Sequence, residues 1–218
     1  MAIGSARAPG PAPEGAAPGG RPAADGSPLS VRQAARRQGV LDAALALLQE
    51  SDYDRVHVRQ VADRASVALA TVYHYFPSKE HLFGEALVQW AGTMRTGLSR
   101  PLRSGNPADR LKEALRRSVR AFERQPQLAR LVGSLEGSDE PFAHYVLDRL
   151  DQVTTEVYLD TLADLDRDLA IRVVRVVDAV LDAGLRGWCS GRLRVDEVYS
   201  ALVDAVDLVL PGPEQPGA

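Results

Sequence analysis

One stretch, 58–82 (VRQVADRASVALATVYHYFPSKEHL), constrains the fold more than any other part of the chain. Within 58–65 the apolar residues Val58, Val61, Ala62 and Ala65 fall at i, i+3, i+4 and i+7, one face of a helix, while Arg59, Gln60, Asp63 and Arg64 take the wetted side. Residues 66–69 interrupt that period, and 70–76 supplies a compact, aromatic-rich turn or two of helix. Pro77 closes it, because the residue before a proline is pushed out of the helical region. Ser78 is then the natural N-cap of the next helix, with Glu80 in the first turn where the helix dipole favours a negative charge.

The second helix of this stretch is too short to bury much surface by itself. Thr71, Tyr73, His74 and Tyr75 give it a methyl, hydroxyls and rings, with Lys79 just beyond, and such groups suit phosphate oxygens and base edges. A short helix backed by an amphipathic one is also the helix-turn-helix arrangement, whose second helix lies in the major groove. From spacing alone, a helical hairpin whose aromatics belong to the core explains the pattern as well.

VADRASVALATVYHYFPSKEHLF, preceded by VHVRQ and an amphipathic helix, resembles the DNA-binding domain of TetR-family transcriptional regulators. The matching features are Val58-Arg59, Thr71-Val72-Tyr73, and the run Tyr75-Phe76-Pro77-Ser78-Lys79. The resemblance is specific over about 31–87 and looser beyond. It implies an all-α chain: an N-terminal three-helix helix-turn-helix domain followed by a C-terminal helical domain for ligand binding and dimerisation. It also implies DNA contacts from Arg59, Leu69, Ala70, Thr71, Tyr73, His74, Tyr75 and Lys79. Of these, Leu69, Ala70 and His74 are assigned to base reading, Thr71, Tyr73 and Tyr75 to phosphate anchoring, and Lys79 to clamping a phosphate beyond the helix. Three departures stand out: Ala70, Ser66 and Asp52 occupy positions where the family usually or often has glycine. Asp tolerates a left-handed backbone better than most residues, so the turn at Asp52 is expected to survive. Ala70 places a methyl where a thymine methyl can meet it.

Residues 1–29 are Gly, Pro, Ala and Ser with hardly a large apolar side chain, and cannot bury enough surface to offset their ordering entropy. They are expected to be a disordered, inert tail, since Glu14 and Asp25 cancel Arg7 and Arg21; 212–218 is a second disordered tail. The folded chain then divides into a DNA-binding domain over 30–98 and an effector-binding and dimerisation domain over 99–211. Charge supports that division. Residues 30–100 carry nine basic and seven acidic side chains, whereas 101–218 carries fifteen basic and twenty acidic ones, so the head is +2 and the remainder −5.

The first folded helix, 30–50, has Val40, Leu41, Ala44, Leu47 and Leu48 as its apolar stripe and Ser30 as its cap. Arg32, Arg36 and Arg37 crowd its first half; either Arg36 or Arg37 is the phosphate contact, unless all three form a solvated face. The helix 78–99, with Leu82, Phe83, Ala86, Leu87, Trp90 and Met94, links head to body. Residues 101–107 break the chain, Asn106-Pro107 open a helix to about 124, and 127–135 and 141–163 follow. The segment 169–190 is apolar on more than one face, with Ala183, Gly184 and Gly187 allowing close approach, and 195–210 carries a stripe of Val198, Leu202, Val206 and Val209. These two segments look like the helix pair through which TetR-like proteins dimerise; the plain alternative is a monomer core.

The expected partners are therefore double-stranded DNA at a palindromic operator, a second copy of the chain through 169–190 and 195–210, and a small effector. Trp90, Phe122, Leu131, Phe142, Tyr145, Leu150, Tyr158 and Trp188 are the candidate lining of an apolar effector pocket, or equally core packing. The subset resembled is that of actinobacterial regulators of steroid and fatty-acid breakdown, which implies an acyl-CoA or steroid-like effector. Other chemistry has little support. His57, His74, His81 and His144 are scattered without zinc-site spacing, no phosphate-cradling glycine motif is present, and no cofactor or metal is implied. The single Cys189 excludes an internal disulfide and reads as a buried small residue rather than a redox switch. No apolar run approaches membrane-spanning length and no signal-peptide core is visible, so a cytoplasmic, non-enzymatic regulator is expected. Two further readings remain: a helical small-molecule-binding or sequestering protein that has lost operator recognition, and an enzyme housed in the acidic body.

Overall fold

Helix boundaries follow from the caps. In a computed structural model that describes residues 29–98 and 105–210, with side chains of 94–98 outside the description, α1 (Val31–Glu50) opens on Ser30. The Ser30 side chain accepts from the Gln33 amide while the Gln33 side chain accepts from the Ser30 amide, a reciprocal capping box. One turn of 3-10 helix (Tyr53–Arg55) leads to α2 (Val58–Arg64) and α3 (Leu69–Tyr75). Ser78 caps α4 (Lys79–Leu98) by accepting from the His81 amide at 3.0 Å, and Asn106 caps α5 (Pro107–Arg124), with the proline at the first helical position. The helices α6 (Pro126–Glu136), α7 (Pro141–Thr161), α8 (Arg167–Cys189) and α9 (Val195–Val209) complete an all-helical chain, with no strand among the described residues. The expected tails (apart from Leu29), residues 101–104 of the expected break over 101–107 and the Met94 side chain lie outside the described residues.

The described residues fall into two compact units, one drawn from Met1–Trp90 and Leu131–Leu150, the other from Ala91–Arg130 and Asp151–Ala218. In the first unit α1, α2 and α3 meet on Val40, Ala44, Leu48, Val61, Ala62 and Val72, all essentially inaccessible to solvent. Phe76, Leu82 and Phe83 are buried in the same unit. The first half of α7 lies so close to α4 that a Cβ built on Gly84 would stand 2.2 Å from a Val146 methyl. Beside that contact Glu85, itself buried, accepts from Arg37 of α1 at 3.0 Å and from Arg149 of α7. His81 stacks on Phe142 with ring centroids 4.4 Å apart.

The second unit is built on α5, the latter half of α7, α8 and α9, around Leu111, Leu115, Tyr158, Leu162, Val177 and Leu202. Glycine governs one contact here: a Cβ on Gly184 would meet Val198 at 2.7 Å, so α8 and α9 pack backbone to side chain. The buried guanidinium of Arg110 is satisfied by the Thr161 and Gly105 carbonyls and by the Asp164 carboxylate, tying the start of α5 to the loop after α7. Asp166 caps α8 by accepting from the Leu169 amide, which starts that helix two residues before the expected 169.

Candidate nucleic-acid interface

The turn between α2 and α3 is closed by two backbone bonds, Val67 N–H to the Ala62 carbonyl at 3.0 Å and Ser66 N–H to the Asp63 carbonyl at 3.1 Å. These are the two bonds of a Schellman motif, whose residue after the cap must take the left-handed conformation. Ser66 does so at φ 53°, and is the only non-glycine residue with positive φ among those described. The serine in place of the family's usual glycine therefore keeps the turn, at a steric cost of about 1–2 kcal/mol. At Asp52 the expected left-handed tolerance is not used, because its backbone is extended (φ −65°, ψ 149°) and it simply precedes the 3-10 turn.

Packing decides which side of α3 is available. Val72, Tyr75 and Phe76 point inward at i, i+3 and i+4, whereas Ala70, Tyr73 and His74 occupy the opposite, exposed face at the same spacing. Leu69 and Thr71 are half-buried at the edges of that face. Arg59 is exposed on the first turn of α2. Three of the assigned residues make contacts within the domain. Tyr75 is only 6% exposed and packs its ring edge-on to His74 and Phe76, so its ring supports α3 from below. Lys79 donates its ammonium to the Tyr53 carbonyl at 2.7 Å and sits over the Tyr53 ring, 4.1 Å from its centroid. Burial holds its pKa below the ordinary lysine value, against the pull of Asp54 and Glu80. One of its donors thus fastens the 3-10 turn to α4. Arg37 is likewise committed, to Glu85 and the face of Phe76, which leaves Arg32 and Arg36 as the exposed cations of the early α1 turns.

Sequence reasoning missed the group that braces this surface. The Tyr53 hydroxyl donates to Glu80 at 3.2 Å and its ring meets Phe83 edge-on at 5.5 Å. Burial, then the Glu80 charge, pushes the Tyr53 hydroxyl pKa well above the usual tyrosine value, so it stays a donor. Arg64 at the end of α2 forms a two-pronged bond to Glu50 at the end of α1, both oxygens at 2.8 Å, and lowers the Glu50 pKa.

The candidate effector residues divide between the units. Trp90, Leu131, Phe142, Tyr145 and Leu150 fall in the first, and Phe122, Tyr158 and Trp188 in the second. Phe142 stacks on His81, and Arg149 lies over the Tyr145 ring at 5.7 Å. The structure accounts for Tyr158 as packing: it is fully buried in the second unit's core and donates its hydroxyl to Ser118 at 3.0 Å. Burial pushes the Cys189 thiol pKa up, the opposite of what a reactive thiolate needs. Among the described residues no cluster of three potential metal-ligating side chains occurs, and no helix is long and apolar enough to cross a membrane.

Comparison with known proteins agrees with this geometry. The family model described as bacterial regulatory proteins of the tetR family matches residues 40–86, spanning most of α1 through the first half of α4. The HTH-type transcriptional repressor KstR of Rhodococcus jostii (strain RHA1) is 31% identical over 180 residues, which is 82% of this chain and 84% of that one. The crystal structure of a TetR transcriptional regulator from Rhodococcus sp. RHA1 superposes with a TM-score of 0.72 at 28% identity, over 83% of this chain and 98% of the other. Thermus thermophilus FadR, a TetR-family repressor solved in complex with lauroyl-CoA, shares the fold with a TM-score of 0.65 at 19% identity, over 84% and 98% of the two chains. A helix-turn-helix of the right geometry, joined to likeness along most of a named repressor's length, has one conclusion: the chain belongs to the TetR family of bacterial transcriptional regulators.

Proposed function

We propose that this protein is a repressor that binds a palindromic operator as a homodimer and leaves it when a small, largely apolar effector binds. The observation that carries the reading is the exposed face of α3, where Ala70, Tyr73 and His74 stand out from a helix whose other side is fixed in the core. Leu69, Ala70 and His74 are the base readers of this proposal, Tyr73 and Thr71 the phosphate anchors, and Arg59 a further backbone contact. The dimer forms through 169–190 and 195–210, and sets two α3 helices about 34–36 Å apart, or a multiple of it, to meet successive major grooves. The effector class is an acyl-CoA or steroid-like molecule, a choice supported by the likeness to KstR and to an acyl-CoA-bound repressor of the same fold.

Response to an effector needs a mechanical path, and the first unit supplies one. α4 follows directly on the recognition helix and is gripped by α7 at Gly84–Val146, His81–Phe142 and Glu85–Arg149. A ligand that prefers α7 in another position therefore acts on α4, and by linkage DNA weakens that ligand by the same factor. The test is a titration of purified protein on operator DNA at several salt concentrations, with and without acyl-CoA thioesters. Affinity should fall steeply with salt, with a log–log slope of about −0.9 for each phosphate neutralised, and a long-chain thioester should release the DNA while free coenzyme A does not. A salt-independent interaction would instead favour a ligand-sequestering protein that has lost operator recognition.

A further inference from the structure

The outer face of the α8–α9 hairpin carries an unused charge pattern. Four large apolar residues stand exposed among those described, and two of them are here: Val176 of α8 at 46% and Leu208 of α9 at 82%. Along α8 the exposed positions Arg172, Val176, Ala179 and Ala183 recur at helical spacing, flanked by Arg175. Along α9 the exposed positions Glu197, Ala201, Asp204 and Leu208 do the same. Each stripe is small and apolar in its middle, and the two helices are locked side by side by the close approach of Gly184 to Val198 and of Gly187 to Leu193. The platform is therefore rigid.

The charges on the two stripes have opposite sign. α9 contains four acidic residues and no basic one, and of the acids Asp207 is held by Lys112 of α5 and Asp196 by Arg194. α8 turns Asp178 and Asp182 into half-buried positions and leaves Arg172 and Arg175 on the surface, with exposed Asp168 one turn before Arg172 as the acid at the helix start. Among the described residues neither arginine has a carboxylate partner, and Asp204 has no cation.

We infer that this face recognises a second copy of the chain by charge as well as by apolar contact: Arg172 and Arg175 of α8 meet Glu197 and Asp204 of α9 on the other protomer. In a two-fold dimer each patch contacts the same surface of its partner, so the cross-pairing occurs twice. Pairing α8 with α9 is the arrangement that brings these arginines against the exposed carboxylates of α9. The inference rests on the dimer reading proposed above and adds the rule by which protomers choose each other.

Two charge-reversed proteins test it by sedimentation equilibrium at moderate salt. The first is Arg172→Glu with Arg175→Glu; the second is Glu197→Arg with Asp204→Arg. Because Glu197 also accepts from the Arg194 amide at the start of α9, Asp204→Arg alone serves as a variant that spares this cap. Each variant alone should dimerise about tenfold or more weakly than the natural protein, a difference of about 1.4 kcal/mol. An equimolar mixture of the two reversed proteins should form heterodimers of near-natural affinity, since every reversed contact is then again opposite in charge. Variants that dimerise like the natural protein, or a mixture no tighter than its components, overturn the charge rule. A natural protein that is monomeric overturns the dimer reading beneath it, whereas disruption by Leu208→Glu with silent charge reversals keeps that reading and sinks only the charge rule.

Discussion

Tyr73 and Leu69 lie on the same short helix, and the proposed interface gives them different work. Tyr73 is exposed at mid-helix with a hydroxyl to offer a phosphate, and Leu69 is apolar and half-buried at the first turn. Tyr73→Phe should weaken binding to every DNA sequence alike, by about 1.5–3 kcal/mol if one charge-assisted hydrogen bond is lost, while Leu69→Ala should change which sequence binds best. Competition binding against a panel of operators separates the two, and equal shifts in preference from both would refute the division. Asp178 gives a second residue-scale test. Burial, then the neighbouring Asp182 and Asp151, pushes its pKa up to about 7, so the folded state keeps a proton that the unfolded state releases near the ordinary value of 3.8. Stability should therefore fall as pH rises from about 4 to 7, and Asp178→Asn should stabilise the fold at pH 8 more than at pH 4 in denaturant melts. An equal gain at both pH values would contradict this. At this scale the sequence was only partly legible. The inward turn of Tyr75 was available in the period, since it stands three residues after the apolar Val72. The capture of Lys79 by Tyr53, and of Arg37 by Glu85, joins residues 26 and 48 positions apart and has no local signature.

Elements were far easier to read, because their ends are written in caps. Ser30, Ser78 and Asn106-Pro107 each start the helix expected of them. Gly191, at φ +72°, lies just past α8. The start of α8 was misplaced because Arg167 and Asp168 lie on its wet side and hide the cap at Asp166 from a search for apolar period. What no cap reveals is how closely helices approach, and two glycines illustrate it. Gly39 in α1 is exposed with nothing near its missing Cβ, whereas a Cβ on Gly84 in α4 would collide with the Val146 side chain. Gly39→Ala should stabilise the protein by about 0.5–1 kcal/mol through the helix backbone. Gly84→Ala should destabilise it by about 1–3 kcal/mol through overpacking, and should also disturb DNA binding, since the contact it disturbs is one of the three that join α4 to α7. Thermal melts of the two variants moving in the same direction would contradict the assignment.

For the molecule as a whole, charge and fold class were legible from the start: a mildly basic head, an acidic remainder, and helical period throughout. The partition of the effector candidates was not, because a buried aromatic looks the same in sequence whether it lines a ligand or fills a core. Tyr158, whose hydroxyl donates to Ser118 inside the second unit's core, shows how the structure supplies a packing role for such a residue. A head of only +2 cannot bind DNA tightly by charge alone, so the account requires that sequence be read through α3 and that two copies act together. The most direct test is binding of the purified protein to DNA from just upstream of its own gene, titrated against random DNA at one fixed salt concentration. A preference of about a thousandfold or more is expected, with two protomers on each palindromic site. Equal affinity for both DNAs, repeated across a genome-wide binding selection, would contradict it.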